Sequence, residues 1–321
     1  MKNKQMPTQT FKPNQFELYS NLAESDNSLL FHEKHDNLLP HPADILSGKL
    51  DELTRAHTNL FEERNNETPH FINSLEHVKQ FIYSIDGFYD SLALIIKCFT
   101  PPSGDDNKDA SKWLKQQKSI YYANLLDSTS ALHADFKNMA NRLKHDDSKI
   151  ASASILNHNN TNVPGFYVQV ATGKNDQRGP APDIHKKYKN TVSTAFSYNH
   201  TILRSIGHVV NCTNRLNKII FKNKKPVSHP SFSSFFSLLQ IGFKVDVQFF
   251  PDEYERPYAH IVKNGDNFNV EYNWRYKKSP REDFERIKSF SVPANFNQRT
   301  SASHIVIPYL PLMYPERLAK S

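Results

Sequence analysis

From Ile72 to Phe99, apolar side chains return at every third or fourth position: Ile72, Leu75, Val78, Ile82, Ile85, Tyr89, Leu92, Ile96 and Phe99. Only an α-helix puts such a row on one face, and a row this long needs a partner surface along its whole length. Thr68 suits the N-cap, Pro69 the first turn, and Pro101-Pro102 stops the run. Glycine is scarce, with 9 in 321 residues. A dinucleotide-binding sheet or a phosphate-cradling loop needs glycines at set positions, so both are disfavoured and long helices favoured.

Other segments carry the same period. Ala43 to Arg64 reads as a helix, closed by Asn65-Asn66, and a short helix is expected near Phe16–Leu22. Ser111 to His145 reads as another, with a break near Ser128–Ser130. The period then shortens. Lys149–Leu156 and Gly165–Thr172 read as two strands of a hairpin. After a Gly/Pro loop, Asp183 offers an N-cap. Ile184, Tyr188, Val192, Ala195, Asn199, Ile202, Ile206, Val209, Thr213, Leu216 and Ile220 then predict one helix of roughly 37 residues, about 55 Å long. Its opposite stripe is polar: His200, Arg204, His208, Asn211, Arg215 and Lys218. Beyond Pro226 the pattern mixes. Val245–Phe250, Tyr258–Val262, Phe268–Tyr272 and His304–Tyr309 read as strands, Glu282–Ser289 as a short helix, and Asn264-Gly265 as a hairpin turn. The expected fold is mainly α: an antiparallel helical bundle with an inserted β-hairpin near 149–172, plus a small C-terminal α+β region. Three segments are expected: an acidic extension over 1–67, the bundle over 68–225 and an appendage over 226–321.

Charge divides along the same lines. Residues 16–69 carry eleven acids against four bases, whereas 184–245 carry ten bases and no acid. The whole chain has a net charge of +7, so this one segment exceeds the total excess. An acid-free stripe of that length attracts phosphates. It also suits an intramolecular acidic partner such as 16–69. No apolar h-region opens the chain, and its greasiest stretches are about half a membrane span, so a cytoplasmic protein with no membrane partner is expected. Cys98 and Cys212 both fall within helical patterns and read as buried structural thiols.

One helix end carries candidate chemistry. Asn138, Asn141 or Arg142, and His145 share a face away from Leu132, Phe136, Met139 and Leu143. There an imidazole could move a proton while a guanidinium holds an oxyanion. The ending Asn141-x-x-Lys144-His145, two long helices, a hairpin and a long final helix together resemble HEPN-like proteins over about residues 70–222. These are helical bundles frequent in toxin and defence systems. The resemblance implies RNA or another phosphate-rich ligand, metal-independent cleavage where a member is catalytic, and a homodimer paired across such helix ends. Ribonuclease-active members carry an arginine separated from the histidine by four to six residues. Here those positions are Ala140, Met139 and Asn138.

The expected site is therefore His145 as acid/base with Arg142 or Arg204 gripping the same phosphate, and Asn141, Lys144, His208, Arg215 and Lys218 completing the RNA- or phosphate-binding set. The other reading is a non-catalytic scaffold that pairs with itself or another protein. No cofactor and no metal are expected. His32, His35 and His41 lack a nearby cysteine and an assigned fourth ligand. Glu271-Tyr272-Asn273 lacks the lysine that a metal-dependent nuclease step needs. The phenylalanines of 232–250 suit core packing or a dimer interface better than base stacking.

Overall fold

The computed structural model describes residues 8–13, 15–64, 71–106, 109–145, 148–156, 161–171, 178–222, 224–228, 230, 232–274, 289–291 and 306–309. Among them the fold is mainly helical, with an antiparallel hairpin sheet inserted and a small antiparallel sheet formed by the C-terminal region. The helices are α1 (Glu17–Ala23), α2 (Pro42–Arg64), α3 (Phe71–Cys98), α4 (Ala110–Gln116), α5 (Ile120–His145), α6 (Tyr198–Phe221) and α7 (Ser234–Lys244). The expected cap at Thr68 and Pro69 lies outside the described residues.

Helices α2, α3, α5 and α6 build the bundle. The α3 row from Val78 to Ile96 is buried, as its period requires. Tyr89 meets Thr129 at 2.9 Å while Tyr83 lies under Lys144, so α3 and α5 run antiparallel. The break before α5 falls earlier than the sequence suggested. Lys118 adopts a left-handed conformation at φ 53, ending α4 and freeing Ser119 to start the next helix. Ser128 and Thr129 stay helical, their hydroxyls turned back onto the carbonyls of Asn124 and Leu125 within the helix.

The long final helix is shorter than its period implied. It begins at Tyr198, where Ser197 Oγ accepts the His200 N–H at 3.2 Å. Residues 184–197 form no helix. Lys189 and Asn190 are both left-handed, at φ 48 and 67, and Tyr188 and Val192 exchange backbone hydrogen bonds of 2.8 and 3.0 Å. Ile184 enters the large core, whereas Val192 and Ala195 enter a smaller cluster with Ala153, Ile155, Val163 and Tyr167. Steps of three and four thus served two different surfaces. Asp183 caps nothing; it pairs with Arg142.

The hairpin is β2 (Lys149–Leu156) on β3 (Asn162–Ala171), with Ser152 opposite Phe166. Short strands β4 (Arg178–Pro180) and β5 (Phe196–Ser197) join β3, and β8 (Ser289–Ser291) joins β2. A second sheet has the order β1-β7-β6, from β1 (Gln9–Phe11), β6 (Tyr258–Asn264) and β7 (Asn267–Trp274). The expected turn is present, with Gly265 at φ 58 between Asn264 and Asn267. The strand β1 had no sequence signal. Val245–Phe250 is irregular rather than extended, and the expected helix 282–289 lies outside the described residues apart from Ser289, which starts β8. Of the expected strand 304–309, residues 304–305 lie outside the described residues, Val306 and Ile307 take no regular structure, and Pro308-Tyr309 form a turn.

One apolar cluster runs from Phe11 to Tyr272 through all three sequence segments. The phenylalanine-rich stretch belongs to it: Phe235 stacks on Phe16 at 4.1 Å and Phe232 on Tyr19 at 4.6 Å. The sheet lies so close to α6 that a Cβ on Gly207 would sit 2.1 Å from the Tyr272 ring.

Candidate phosphate-binding surfaces

The end of α5 is exposed at Asn141, Lys144 and His145. Its cations are committed. Arg142 Nε donates to Asp183 at 3.1 Å, and Lys144 Nζ donates to Asp86 at 3.0 Å while lying over the Tyr83 ring. Asp86 also accepts from His133 Nε2 at 3.2 Å. Burial opposes ionisation of Asp86, but the bonds from His133 and Lys144 outweigh it and hold the carboxyl below its ordinary range.

Arg204 does not reach this end. Its guanidinium donates to Asp135 at 2.5 Å and lies over the Phe136 ring. Asp135 is ten residues back from His145, roughly 15 Å of helix. The expected sharing of one phosphate by His145 and Arg204 is therefore corrected: Arg204 is spent on a carboxylate inside the bundle.

The polar stripe of α6 points inward over most of its length. His208 is 0% exposed and stacks among Tyr89, His133 and Phe136, with Cys212 Sγ 3.6 Å from its ring. Burial, then His133 and Arg204 nearby, drives its pKa well down, so it is a neutral core ring without a route to a polymer phosphate. His200 is buried against Glu253, 3.5 Å away, and Asn211 is buried as well. The stripe looked solvent-facing because its partners come from distant segments. His57 shows the same economy: its Nδ1–H donates to Leu53 O at 2.8 Å and its Nε2 accepts from Ser205 at 2.6 Å.

Only the last turns of α6 behave as expected of the stripe. Arg215 and Lys218 are exposed, and so are Lys222, Lys224 and Lys225 just beyond. Lys224 faces Glu24, which accepts the Val227 and Ser228 N–H groups. Arg215, Lys218, Lys222 and Lys225 have no ion pair among the described residues. Lys222 closes the helix in a left-handed conformation, its N–H on Lys218 O at 3.1 Å. Beside them runs a cleft of about 540 Å³, lined in part by Lys12, Lys218, Lys225, Gln9, Asn214 and Glu17. Sequence reading missed this cleft because Lys12 and Gln9 arrive through β1, which pairs with β7 more than 250 residues away.

A buried acidic pair was also missed. Glu253 accepts from Ser197 N–H at 2.9 Å, Ser197 Oγ at 2.5 Å and Phe250 N–H at 2.9 Å. Neighbouring Asp252 pairs with Arg256 at 2.6 Å and accepts from the Tyr309 hydroxyl. Burial, then the adjacent Asp252, pushes Glu253 up to about 8. The pair is fully enclosed and ties the start of α6 to the segment after α7.

His35 is held by Asp106 at 2.7 Å and by Lys97 O at 3.1 Å, and His32 meets His41 edge-on. Cys98 and Cys212 are both buried free thiols, as expected, and burial pushes the Cys98 thiol up to about 12. Among the described residues, no helix is long and apolar enough to cross a membrane. No protein-family model matches the chain, and neither the curated proteins nor the solved structures contain a match.

Proposed function

We propose that this protein binds RNA through the exposed basic end of α6 and the cleft beside it. One observation carries the reading: Arg215, Lys218, Lys222 and Lys225 cluster at one helix end with no ion pair among the described residues. A helix C-terminus carries roughly half a negative charge, which a single cation offsets. Four cations therefore leave a positive excess beside a cleft that adds Lys12. Such an excess is what polymer phosphates reward by releasing counterions.

The order of elements supports an HEPN-like reading: antiparallel α3 and α5, the β2–β3 hairpin, then α6. Within it the proposal is for binding rather than cleavage. Arg142 is engaged by Asp183, Arg204 by Asp135, and no arginine is separated from His145 by four to six residues. The test is the affinity for a single-stranded oligo(U) measured across a salt series. Four contacts predict a slope near −2.8 in log affinity against log salt, from about −0.7 per phosphate. An affinity that stays flat across the series contradicts phosphate recognition.

A further inference from the structure

The cleft beside the end of α6 mixes charges in a way that phosphate binding alone does not explain. Lys12, Lys218 and Lys225 line it, and so does Glu17, the first residue of α1. Among the described residues Glu17 makes no ion pair with any of the three. Uncharged groups hold it instead. Asn217 Nδ2 reaches its Oε2 at 3.5 Å, and Asn217 Oδ1 accepts from Asn21 Nδ2 at 2.9 Å. Asn21 also donates to the Lys224 carbonyl at 3.0 Å, and both asparagines are buried. A buried amide chain thus steadies one carboxylate oxygen, while Oε1 has no partner among the described residues. The lining adds an amide pair. Asn214 Nδ2 donates to Gln9 Oε1, which leaves the Gln9 Nε2 hydrogens without an acceptor among the described residues.

A carboxylate only accepts hydrogen bonds, so it suits a ligand edge with two neighbouring N–H donors. Guanine has such an edge, N1–H beside the N2 amino group, and next to them O6, which an amide N–H can serve. Uracil sets a single N–H between two carbonyls. Adenine and cytosine set one amino group beside a ring nitrogen that accepts. Against any of these three a carboxylate meets a lone pair, and an unpaired base presents its whole edge to be read. The cleft, at about 540 Å³, has the size of a small-ligand site, enough for one nucleotide and too small for a duplex.

We infer that the cleft reads guanine: Glu17 accepts from the base edge while Lys12, Lys218 and Lys225 hold the adjoining phosphates. This rests on the RNA reading above. Lys218 and Lys225 belong both to the cleft and to the exposed helix-end cluster, so a strand held there by its phosphates brings its bases to Glu17.

The experiment measures the affinity of the full chain for oligo(U) of about twelve nucleotides, and for the same strand with one internal G, A or C. The proteins are wild type, Glu17→Ala and Lys12→Gln. Both positions are exposed, and unchanged thermal unfolding verifies the fold. Wild type is expected to bind the G-containing strand at least about tenfold more tightly than the other three. Glu17→Ala is expected to act with opposite signs: the G-containing strand loses its advantage, while oligo(U) binds slightly more tightly because an anion has left the phosphate path. Lys12→Gln is expected to weaken all four strands alike. Equal affinity for the four strands, preference for another base, or a guanine preference that survives Glu17→Ala overturns the guanine site while leaving RNA binding intact. Absence of binding to every strand overturns the RNA reading itself, and the guanine site with it.

Discussion

The buried and exposed parts of α6 carry similar residues and do opposite work. His200, Arg204 and His208 lie on the same face as Arg215 and Lys218, at the same spacing. The first three are enclosed by Glu253, Asp135 and a stack of rings, while the last two meet no acid among the described residues. A cation's place in the sequence therefore says little about its charge toward solvent; what decides is whether another element brings it a carboxylate. The account requires that changes in the buried part alter stability and leave RNA affinity alone, and that changes at the exposed end do the reverse.

The largest expected effect is at Gly207. Its Cβ would overlap the Tyr272 ring, so Gly207→Ala is expected to destabilise by about 1–3 kcal/mol in urea unfolding. No loss would mean that the β6–β7 sheet does not rest on α6.

The next effect is on pH dependence. Glu253 is raised to about 8 from an ordinary 4.5, so the folded state holds its proton longer than the unfolded state. The stability it supports is complete below 4.5 and is lost as pH rises toward 8. The buried histidines act in the other sense. Burial lowers His57 to about 4 and His185 to about 3, so they add stability above 6.5 that is lost as pH falls toward those values. Between about 6.5 and 8 the Glu253 fall stands clear, up to about 2 kcal/mol at one proton per transition. Glu253→Gln should flatten that window in urea midpoints; a wild-type stability that climbs from 6.5 to 8 would contradict the enclosed pair.

Smaller still is Asp135→Ala. It leaves Arg204 half-buried without its partner, but Asp135 is nearly half exposed, so about 1 kcal/mol is expected. The salt slope of RNA binding should not change. His145→Ala is expected to do least: unchanged stability, and RNA decay in the presence of chelator equal to that with wild type. Slower decay with the variant would return catalysis to the end of α5.

The helical core and the hairpin were legible because their signals are local. Val78 to Ile96, Lys149–Leu156 and Asn264-Gly265 declare themselves by period or by turn chemistry. The site was legible only in part. Arg215 and Lys218 were found through the charge map, whereas the partners of Arg142, Lys144, Arg204 and His200 lie 41 to 69 residues away. No periodicity reports a contact at that separation. The turn at Lys189-Asn190 was hidden for a different reason: Ile184, Tyr188 and Val192 keep helical spacing by entering two separate clusters.

The most direct test of the central claim pits the two parts of α6 against each other in one salt titration of oligo(U) binding. Replacing Arg215, Lys218, Lys222 and Lys225 by glutamine should reduce the slope by about 2.8, at about 0.7 per lost phosphate contact, while Arg204→Gln leaves it unchanged. A slope that survives the fourfold replacement, or one that falls with Arg204 instead, would contradict the account.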